Sequence, residues 1–188
     1  MREPAFWWQG KNGGRLLAPV AGIYGAFAAM RLRSPGQKVG IPIICVGNLT
    51  VGGAGKTPAA LTVGRLLLAE NKRPFFLTRG YGGRLVGPVR VDRAIHGAAD
   101  VGDEPLLLAE LAPTIVARDR LAGARAAQRD GADAIVMDDG FQNPSLAKDL
   151  AILVVDGRRA IGNGRVFPAG PLRAPLEAQL ARAHAVLV

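Results

Sequence analysis

Residues 50–57 of this 188-residue chain read Thr50-Val-Gly-Gly-Ala-Gly-Lys-Thr57, and this stretch decides the fold. An apolar run at 41–46 precedes it, and a helical pattern begins at Pro58. A strand, a glycine-rich turn and a helix in this order are typical of a phosphate-binding loop. The glycines let backbone N–H groups turn onto phosphate oxygens, and the helix directs its positive end to the same place. The sequence therefore predicts a nucleotide-binding site.

The loop offers eight consecutive positions for contacts with a nucleotide. These are Thr50, Val51, Gly52, Gly53, Ala54, Gly55, Lys56 and Thr57. Lys56 is expected to reach the terminal phosphates, and the Thr57 hydroxyl to help hold Mg²⁺. The usual pattern begins with glycine six residues before the lysine, whereas Thr50 stands there in this chain.

From residue 41 onward, short apolar runs alternate with helical patterns. The predicted strands cover 41–46, 75–78, 114–117, 134–138, 151–156 and 185–188, and the predicted helices cover 58–70, 104–111, 121–130 and 176–183. Continuously apolar strands indicate burial on both faces, and the alternation indicates a parallel sheet wrapped by helices. The fold class is therefore α/β, a P-loop NTPase-like and mostly parallel sheet flanked by helices. Run 185–188 looks like a buried strand, so we expect the protein to continue in a C-terminal lobe.

A pair of carboxylates, Asp138 and Asp139, ends the predicted strand 134–138. Ligands of open α/β sheets bind at this carboxyl edge, and carboxylates there can hold the Mg²⁺ that bridges nucleotide phosphates. Asp and Gly also form turns, so the sequence Asp-Asp-Gly alone permits a simple turn. Together with the phosphate loop, the pair favours a metal site made of Thr57, Asp138 and Asp139.

Asp103 opens a predicted helix within the run Gly102-Asp-Glu-Pro105. Asp is a preferred N-cap residue and Pro suits a first helical turn. The functional alternative is a base that accepts the proton of a substrate hydroxyl. From the spacing alone the helix cap is favoured.

Two glycine-rich turns carry further polar side chains. Arg79 and Tyr81 lie in turn 78–84, directly after a predicted strand, and Arg173 ends the run 168–173. Arginine can clamp a phosphate with two parallel hydrogen bonds, or it can simply be solvated. We take these three residues as candidates for substrate contacts.

The chain carries an excess of positive charge, with 24 Lys and Arg against 15 Asp and Glu and a formal net charge of +9. This excess favours an anionic membrane surface, a phosphorylated substrate or nucleic acid as partner. Because aromatic side chains that could stack on bases are not interleaved with the basic ones, we expect no nucleic acid partner. The single cysteine, Cys45, lies in an apolar run, which indicates core filling and a reducing compartment.

The N-terminal 36 residues contain two tryptophans and an apolar run at 16–30 that is flanked by arginines. The run is shorter than the roughly 20 residues that a bilayer span needs, and it contains Pro19. It predicts an amphipathic or apolar helix. This helix either lies in a membrane interface or packs on the domain with the tryptophans as anchors, and the two interpretations are compatible.

Several segments in one order resemble the tetraacyldisaccharide 4'-kinase family, the lipid A 4'-kinases of Gram-negative bacteria. They cover nearly the whole chain: Phe6-Trp-Trp8, Val46-Gly-Asn-Leu-Thr-Val-Gly-Gly-Ala-Gly-Lys-Thr-Pro58, Arg79-Gly-Tyr-Gly-Gly83, Gly102-Asp-Glu104, Asp138-Asp-Gly-Phe-Gln142 and Pro168-Ala-Gly-Pro-Leu-Arg173. Ser or Thr is usual at the first loop position in this family, which accounts for Thr50.

The resemblance implies transfer of the ATP γ-phosphate to the 4'-hydroxyl of a tetraacylated glucosamine disaccharide 1-phosphate, with ATP and Mg²⁺ at the site. It implies that Asp103, Lys56 and Asp139 are catalytic, Asp103 as the general base. It also implies a membrane-interface segment at 1–36, a P-loop kinase core at 37–188, and a place at the cytoplasmic face of the inner membrane, peripheral or N-terminally anchored. No obligate protein partner is expected.

Two other functions use the same loop. A GTPase or metallochaperone-type switch is disfavoured because Asn71-Lys72 continues as Arg73-Pro74, and because Met137 precedes Asp138-Asp-Gly140. A non-catalytic nucleotide-binding protein of the membrane surface is disfavoured by the intact Lys-Thr and Asp pairs.

Overall fold

The computed structural model describes residues 3–8, 10, 14–53 and 55–188. Within these residues the strands are β1 (Ile43–Asn48), β2 (Pro74–Thr78), β3 (Val89–Arg90), β4 (Thr114–Val116), β5 (Ala134–Asp138), β6 (Leu150–Val154) and β7 (Ala185–Leu187). The α-helices in the same residues are α1 (Ala18–Arg33), α2 (Lys56–Ala69), α3 (Ala98–Val101), α4 (Asp103–Leu108), α5 (Arg120–Arg129) and α6 (Leu176–Leu180).

The strands form one sheet in the order β3-β4-β2-β5-β1-β6-β7. All neighbouring pairs are parallel except β3 and β4, which are antiparallel. The predicted mostly parallel α/β sheet is therefore confirmed. The strand before the phosphate loop, β1, lies between β5 and β6, so the loop emerges near the middle of the sheet.

Helices cover both faces of the sheet. Phe76 and Val136 point to the face that packs with α2, whereas Phe75 and Met137 point to the face that packs with α5. Successive side chains of a strand alternate between faces, so both faces of β2 and β5 are apolar and every residue of these strands is buried. Continuous apolar runs thus indicated the central strands correctly.

The central strand β1 begins and ends two residues later than predicted. Pro42 has no N–H to donate, and its carbonyl accepts from the Ile135 N–H at 2.9 Å just before the strand begins. At the other end, Asn48 is fully buried because its side-chain amide donates to the Gly52 carbonyl at 3.0 Å. A polar residue thus extends a strand that apolarity alone would end at Val46.

The prediction that residues 185–188 form a buried strand is wrong in its burial. A strand does form at Ala185–Leu187, but all three residues are exposed because β7 is an edge strand paired only with β6. Strand β3 and helix α3 were not predicted, since two and four residues are too short to show a periodic pattern.

The N-terminal segment packs on the domain. Trp7 is 5% exposed, and its ring N–H donates to the Pro168 carbonyl at 3.1 Å. The Arg182 side chain, just after α6, donates to the Leu32 carbonyl at the end of α1 at 2.7 Å. The predicted helix and the anchoring role of Trp7 are confirmed. Among the described residues, no helix is long and apolar enough to cross a bilayer.

Replacing Leu77 by Ala should lower the free energy of unfolding by about 3 kcal/mol, because this fully buried β2 side chain would leave a cavity. Urea denaturation measures the effect. Leu66→Ala on α2 is the matched control, since its side chain is 63% exposed and its loss should cost little. Equal costs for the two variants would contradict the sheet position of Leu77.

Candidate active site

The phosphate loop leaves β1 and ends where α2 begins at Lys56. Gly52 and Gly55 have φ values of +106° and +78°, a region that favours glycine over residues with a side chain. The Lys56 ammonium group reaches back over the loop to within 3.5 Å of the Gly52 carbonyl. The helix N-terminus and the lysine therefore border the same space. Ala54, also predicted to contact the nucleotide, lies outside the described residues.

Thr57 and Asp138 meet at the carboxyl edge of the sheet. The Thr57 hydroxyl donates to Asp138 Oδ2 at 3.1 Å. The contact follows from the parallel pairing of β1 and β5, which places Val46 opposite Asp138. Asp138 is fully buried, and its Oδ1 has no hydrogen-bond partner among the described residues. The structure thus brings together the two predicted metal contacts.

Burial raises the pKa of Asp138 to about 6, the Glu104 charge adds to the rise, and the Thr57 hydroxyl opposes it. A buried carboxylate with an unpartnered oxygen beside a hydroxyl fits a divalent cation, which would supply the missing partner. No cluster of three or more His, Cys, Asp or Glu side chains occurs in the part of the chain that the structure describes. Few protein ligands suit Mg²⁺, which binds through one or two carboxylates together with phosphates and water.

Asp139 is held by Arg173. The guanidinium donates to both carboxylate oxygens, at 2.8 and 3.3 Å, and its Nε donates to the Thr50 carbonyl at 2.9 Å. The backbone of Asp139 has a φ of +53°, which is uncommon for a residue with a side chain. Arg173 thus joins the acidic pair to the first residue of the phosphate loop. The predicted metal and catalytic roles of Asp139, and the substrate role of Arg173, stay predictions.

The run 168–173 lies against the start of the loop. Val51 donates its backbone N–H to the Pro171 carbonyl at 2.7 Å, and Arg173 donates to the Leu49 carbonyl at 2.9 Å. The same run is held from the other side by the Trp7 ring N–H on Pro168. The N-terminal segment therefore supports the loop through this turn.

A cleft of about 650 Å³ opens beside Asp139. The substrate candidates Arg79, Tyr81 and Arg173 all line it, as the strand-end argument predicts. Its charged lining residues are Arg31, Arg79, Glu104, Arg118, Arg120, Asp139 and Arg173. Five arginines against two carboxylates make the cleft attractive to an anionic ligand.

Asp103 is the first residue of α4, and the N-cap position belongs to Gly102, with no side-chain capping bond. The helix-cap interpretation of Asp103 is therefore wrong. The helix starts from a glycine in an unusual conformation, with φ at +91°, and Asp103 comes one position later. Asp103 is exposed, and its neighbour Glu104 lines the cleft. Whether Asp103 is the base stays a prediction.

Sequence reasoning missed two basic residues of the cleft, Arg118 and Arg120. Arg120 is 3% exposed and its guanidinium donates to the Ala117 carbonyl. Burial lowers its pKa to about 10, with a further contribution from the Arg79 charge. Both arginines follow β4 directly, so the strand-end argument that singled out Asp138 could have found them.

Comparison with known proteins decides the family. The family model described as LpxK: Tetraacyldisaccharide-1-P 4'-kinase matches residues 14–188. The chain belongs to this family. It is 59% identical over its whole length to the tetraacyldisaccharide 4'-kinase of Rhodopseudomonas palustris (strain BisB18), and 61% identical to that of Methylobacterium sp. (strain 4-46). The chain spans 55% and 57% of the lengths of these two relatives.

A solved structure of the family has the same fold. The crystal structure of the "apo" form of LpxK from Aquifex aeolicus in complex with ATP matches with a TM-score of 0.79 and 32% identity, over 92% of this chain and 57% of that chain. The match confirms the P-loop kinase fold. Family membership does not favour the alternative of an NTPase switch.

Asp138→Asn should raise the free energy of unfolding above pH 6 by about 2 kcal/mol, because it removes a buried charge. The folded state holds the Asp138 proton up to about pH 6, and the unfolded chain only to about 3.8. Stability from this residue is therefore greatest at low pH and falls as pH rises through that window, so the two proteins should converge below 3.8. Urea titrations with a chelator present measure this.

Asp139→Asn is the matched comparison, since it also removes one carboxylate at the same edge. It should lower stability at neutral pH, because Arg173 loses its ion pair while remaining partly buried. The same sign for both variants would contradict the assigned environments.

Proposed function

We propose that the protein containing this chain is an ATP-dependent lipid kinase. It transfers the γ-phosphate of ATP to the 4'-hydroxyl of a tetraacylated glucosamine disaccharide 1-phosphate, a step in lipid A biosynthesis. The observation that carries the proposal is the 3.1 Å contact between Thr57, at the end of the phosphate loop, and the buried Asp138. Family membership and the relatives' names support the reaction and the acceptor.

The phosphate loop would bind ATP. Its backbone N–H groups and the N-terminus of α2 would face the phosphates, and Lys56 would turn from the Gly52 carbonyl to the terminal phosphates. Thr57 and Asp138 would hold Mg²⁺, which neutralises charge that develops on the transferred group. The related Aquifex aeolicus structure, described as a complex with ATP, supports this assignment.

The arginine-lined cleft would receive the phosphorylated acceptor. Arg79, Tyr81 and Arg173 line it next to Asp139, so an acceptor there would be near the acidic pair. We assign the general base to Asp103, which is exposed at the start of α4 and stands next to the cleft residue Glu104. Asp103 would accept the proton of the 4'-hydroxyl, and Asp139, oriented by Arg173, would position the reacting groups.

Lys56→Ala should weaken ATP binding to the 188-residue chain by about tenfold or more, because a charge-assisted contact to phosphate is lost. It should also abolish transfer of radiolabelled γ-phosphate to the lipid acceptor in the protein that contains the chain. Titration with a fluorescent ATP analogue and a lipid kinase assay measure the two effects.

Lys72→Ala is the matched control for Lys56→Ala, since this exposed lysine lies beyond the far end of α2. It should leave nucleotide binding and transfer unchanged. Unimpaired transfer by Lys56→Ala would refute the assignment of the phosphate loop.

We also propose that helix α1 associates with the cytoplasmic face of the inner membrane. Val20, Ile23, Phe27 and Met30 recur at helical spacing and are each more than half exposed. Residues 16–30 carry no charge, and Arg15, Arg31 and Arg33 flank them. An apolar stripe between cationic ends suits a helix that lies in an anionic membrane surface. The lipid acceptor would then be reached from the membrane.

Ile23→Ser combined with Met30→Ser should weaken binding of the chain to anionic vesicles by about tenfold or more, because buried apolar area is lost at the interface. Vesicle flotation measures this. Leu66→Ser on α2 is the control, with a similarly exposed apolar side chain outside the stripe. Binding of the wild-type chain should also weaken as salt rises, since the arginines contribute. Retention that is unaffected by both serines would refute the assigned stripe.

A further inference from the structure

A second cleft, of about 440 Å³, lies between the end of α1, segment 141–148 and the segment that follows α6. Basic side chains line it from all three sides: Arg31, Lys38, Lys148, Arg182 and His184. No carboxylate of the described part of the chain lines this cleft. We call it the basic cleft.

The positions of several donors are fixed by the backbone. Lys148 donates to the Asn143 carbonyl at 2.6 Å, and Arg182 donates to the carbonyls of Leu32 and Ser34 at 2.7 and 3.2 Å. The His184 Nδ1 accepts the Ala151 N–H at 3.0 Å, which leaves the Nε2 as the protonated nitrogen of the neutral ring. These side chains are therefore held in place and are not freely moving surface cations.

Other cations of the basic cleft lack an acidic partner. The Arg31 guanidinium lies over the Phe27 ring, 5.8 Å from its centroid, and neither Arg31 nor Lys38 pairs with a carboxylate among the residues described. Burial lowers the pKa of Lys148, and the nearby Arg182 charge lowers it further. Asp149 is the acidic residue of the neighbouring depression that Lys38 also lines, and one of its oxygens accepts the Ile43 N–H.

Gathered cations without a carboxylate form a site for an oxyanion. Arg and Lys donors pair most strongly with phosphate oxygens, and a recessed site strengthens that attraction. The apolar stripe of α1 leads directly to the cleft, since Phe27 and Arg31 are one helical turn apart on the same face. A lipid that contacts the stripe would therefore present its head group next to Arg31.

We propose that the basic cleft binds the phosphate of an anionic membrane phospholipid, separately from the phosphate loop that binds ATP. The cleft would fix the protein on the membrane with its arginine-lined cleft beside the surface, because the two clefts share Arg31 and Asn143. The choice of a lipid as the source of the phosphate rests on the proposed membrane association. The phosphate chemistry stands on the side chains alone.

The test compares two double variants with the same change in charge. Arg31→Gln with Lys38→Gln removes two cations of the basic cleft, and Arg33→Gln with Lys72→Gln removes two exposed cations that do not line it. Flotation with phosphatidylcholine vesicles, with and without phosphatidylglycerol, measures binding. The first variant should lose roughly tenfold more of the phosphatidylglycerol-dependent affinity than the second. Lys38→Gln alone, at an exposed position, keeps the test valid if the double variant is poorly folded.

Equal losses in the two double variants would overturn the proposal, because general surface charge would then account for binding. A separate titration with inorganic phosphate follows the His184 ring signals by NMR. If phosphate shifts these signals in the wild type only, and vesicle binding does not separate the variants, the cleft takes free phosphate and the lipid source is refuted. Lys56→Ala should retain binding to phosphatidylglycerol vesicles while it loses ATP, so failure of the kinase proposal is distinguishable.

Discussion

The parallel pairing of β1 with β5 is the constraint on which the candidate site depends. It places Val46 opposite Asp138, so the loop that follows β1 and the carboxylate that ends β5 reach the same edge of the sheet. The 3.1 Å contact between Thr57 and Asp138 is the direct result. Since β1 lies between β5 and β6, both partners are held by strands that are covered on both faces.

A second layer of contacts holds this edge in shape. Arg173 joins Asp139 to Thr50, and the turn that carries Arg173 is tied to the loop by the Val51 N–H. Trp7 binds the opposite end of that turn. The N-terminal segment thus has a structural role at the site, whatever α1 contributes at a membrane. Bracing of this kind keeps catalytic groups in position, which is most of what phosphoryl transfer asks of a protein.

Charge is distributed in a way that suits phosphate-bearing ligands. Asp138 is buried, and its pKa rises to about 6, because the fold has removed water without supplying a cationic partner to one of its oxygens. The excess of arginine and lysine collects in two adjoining clefts that meet at Arg31. The net charge of +9 is therefore a property of particular surfaces. An even spread of solvated side chains would not form such clefts.

The sequence by itself determined the phosphate loop, the α/β class and the strand that ends in Asp138, because glycine turns, apolar runs and their order are local patterns. It could not determine which strands lie side by side. The tertiary structure decided that β7 is an exposed edge, that Gly102 rather than Asp103 caps α4, and that Arg173 pairs with Asp139. It also buried Arg120 beside the cleft. These features arise from contacts between residues far apart in the chain, and periodicity and turn chemistry report only on near neighbours.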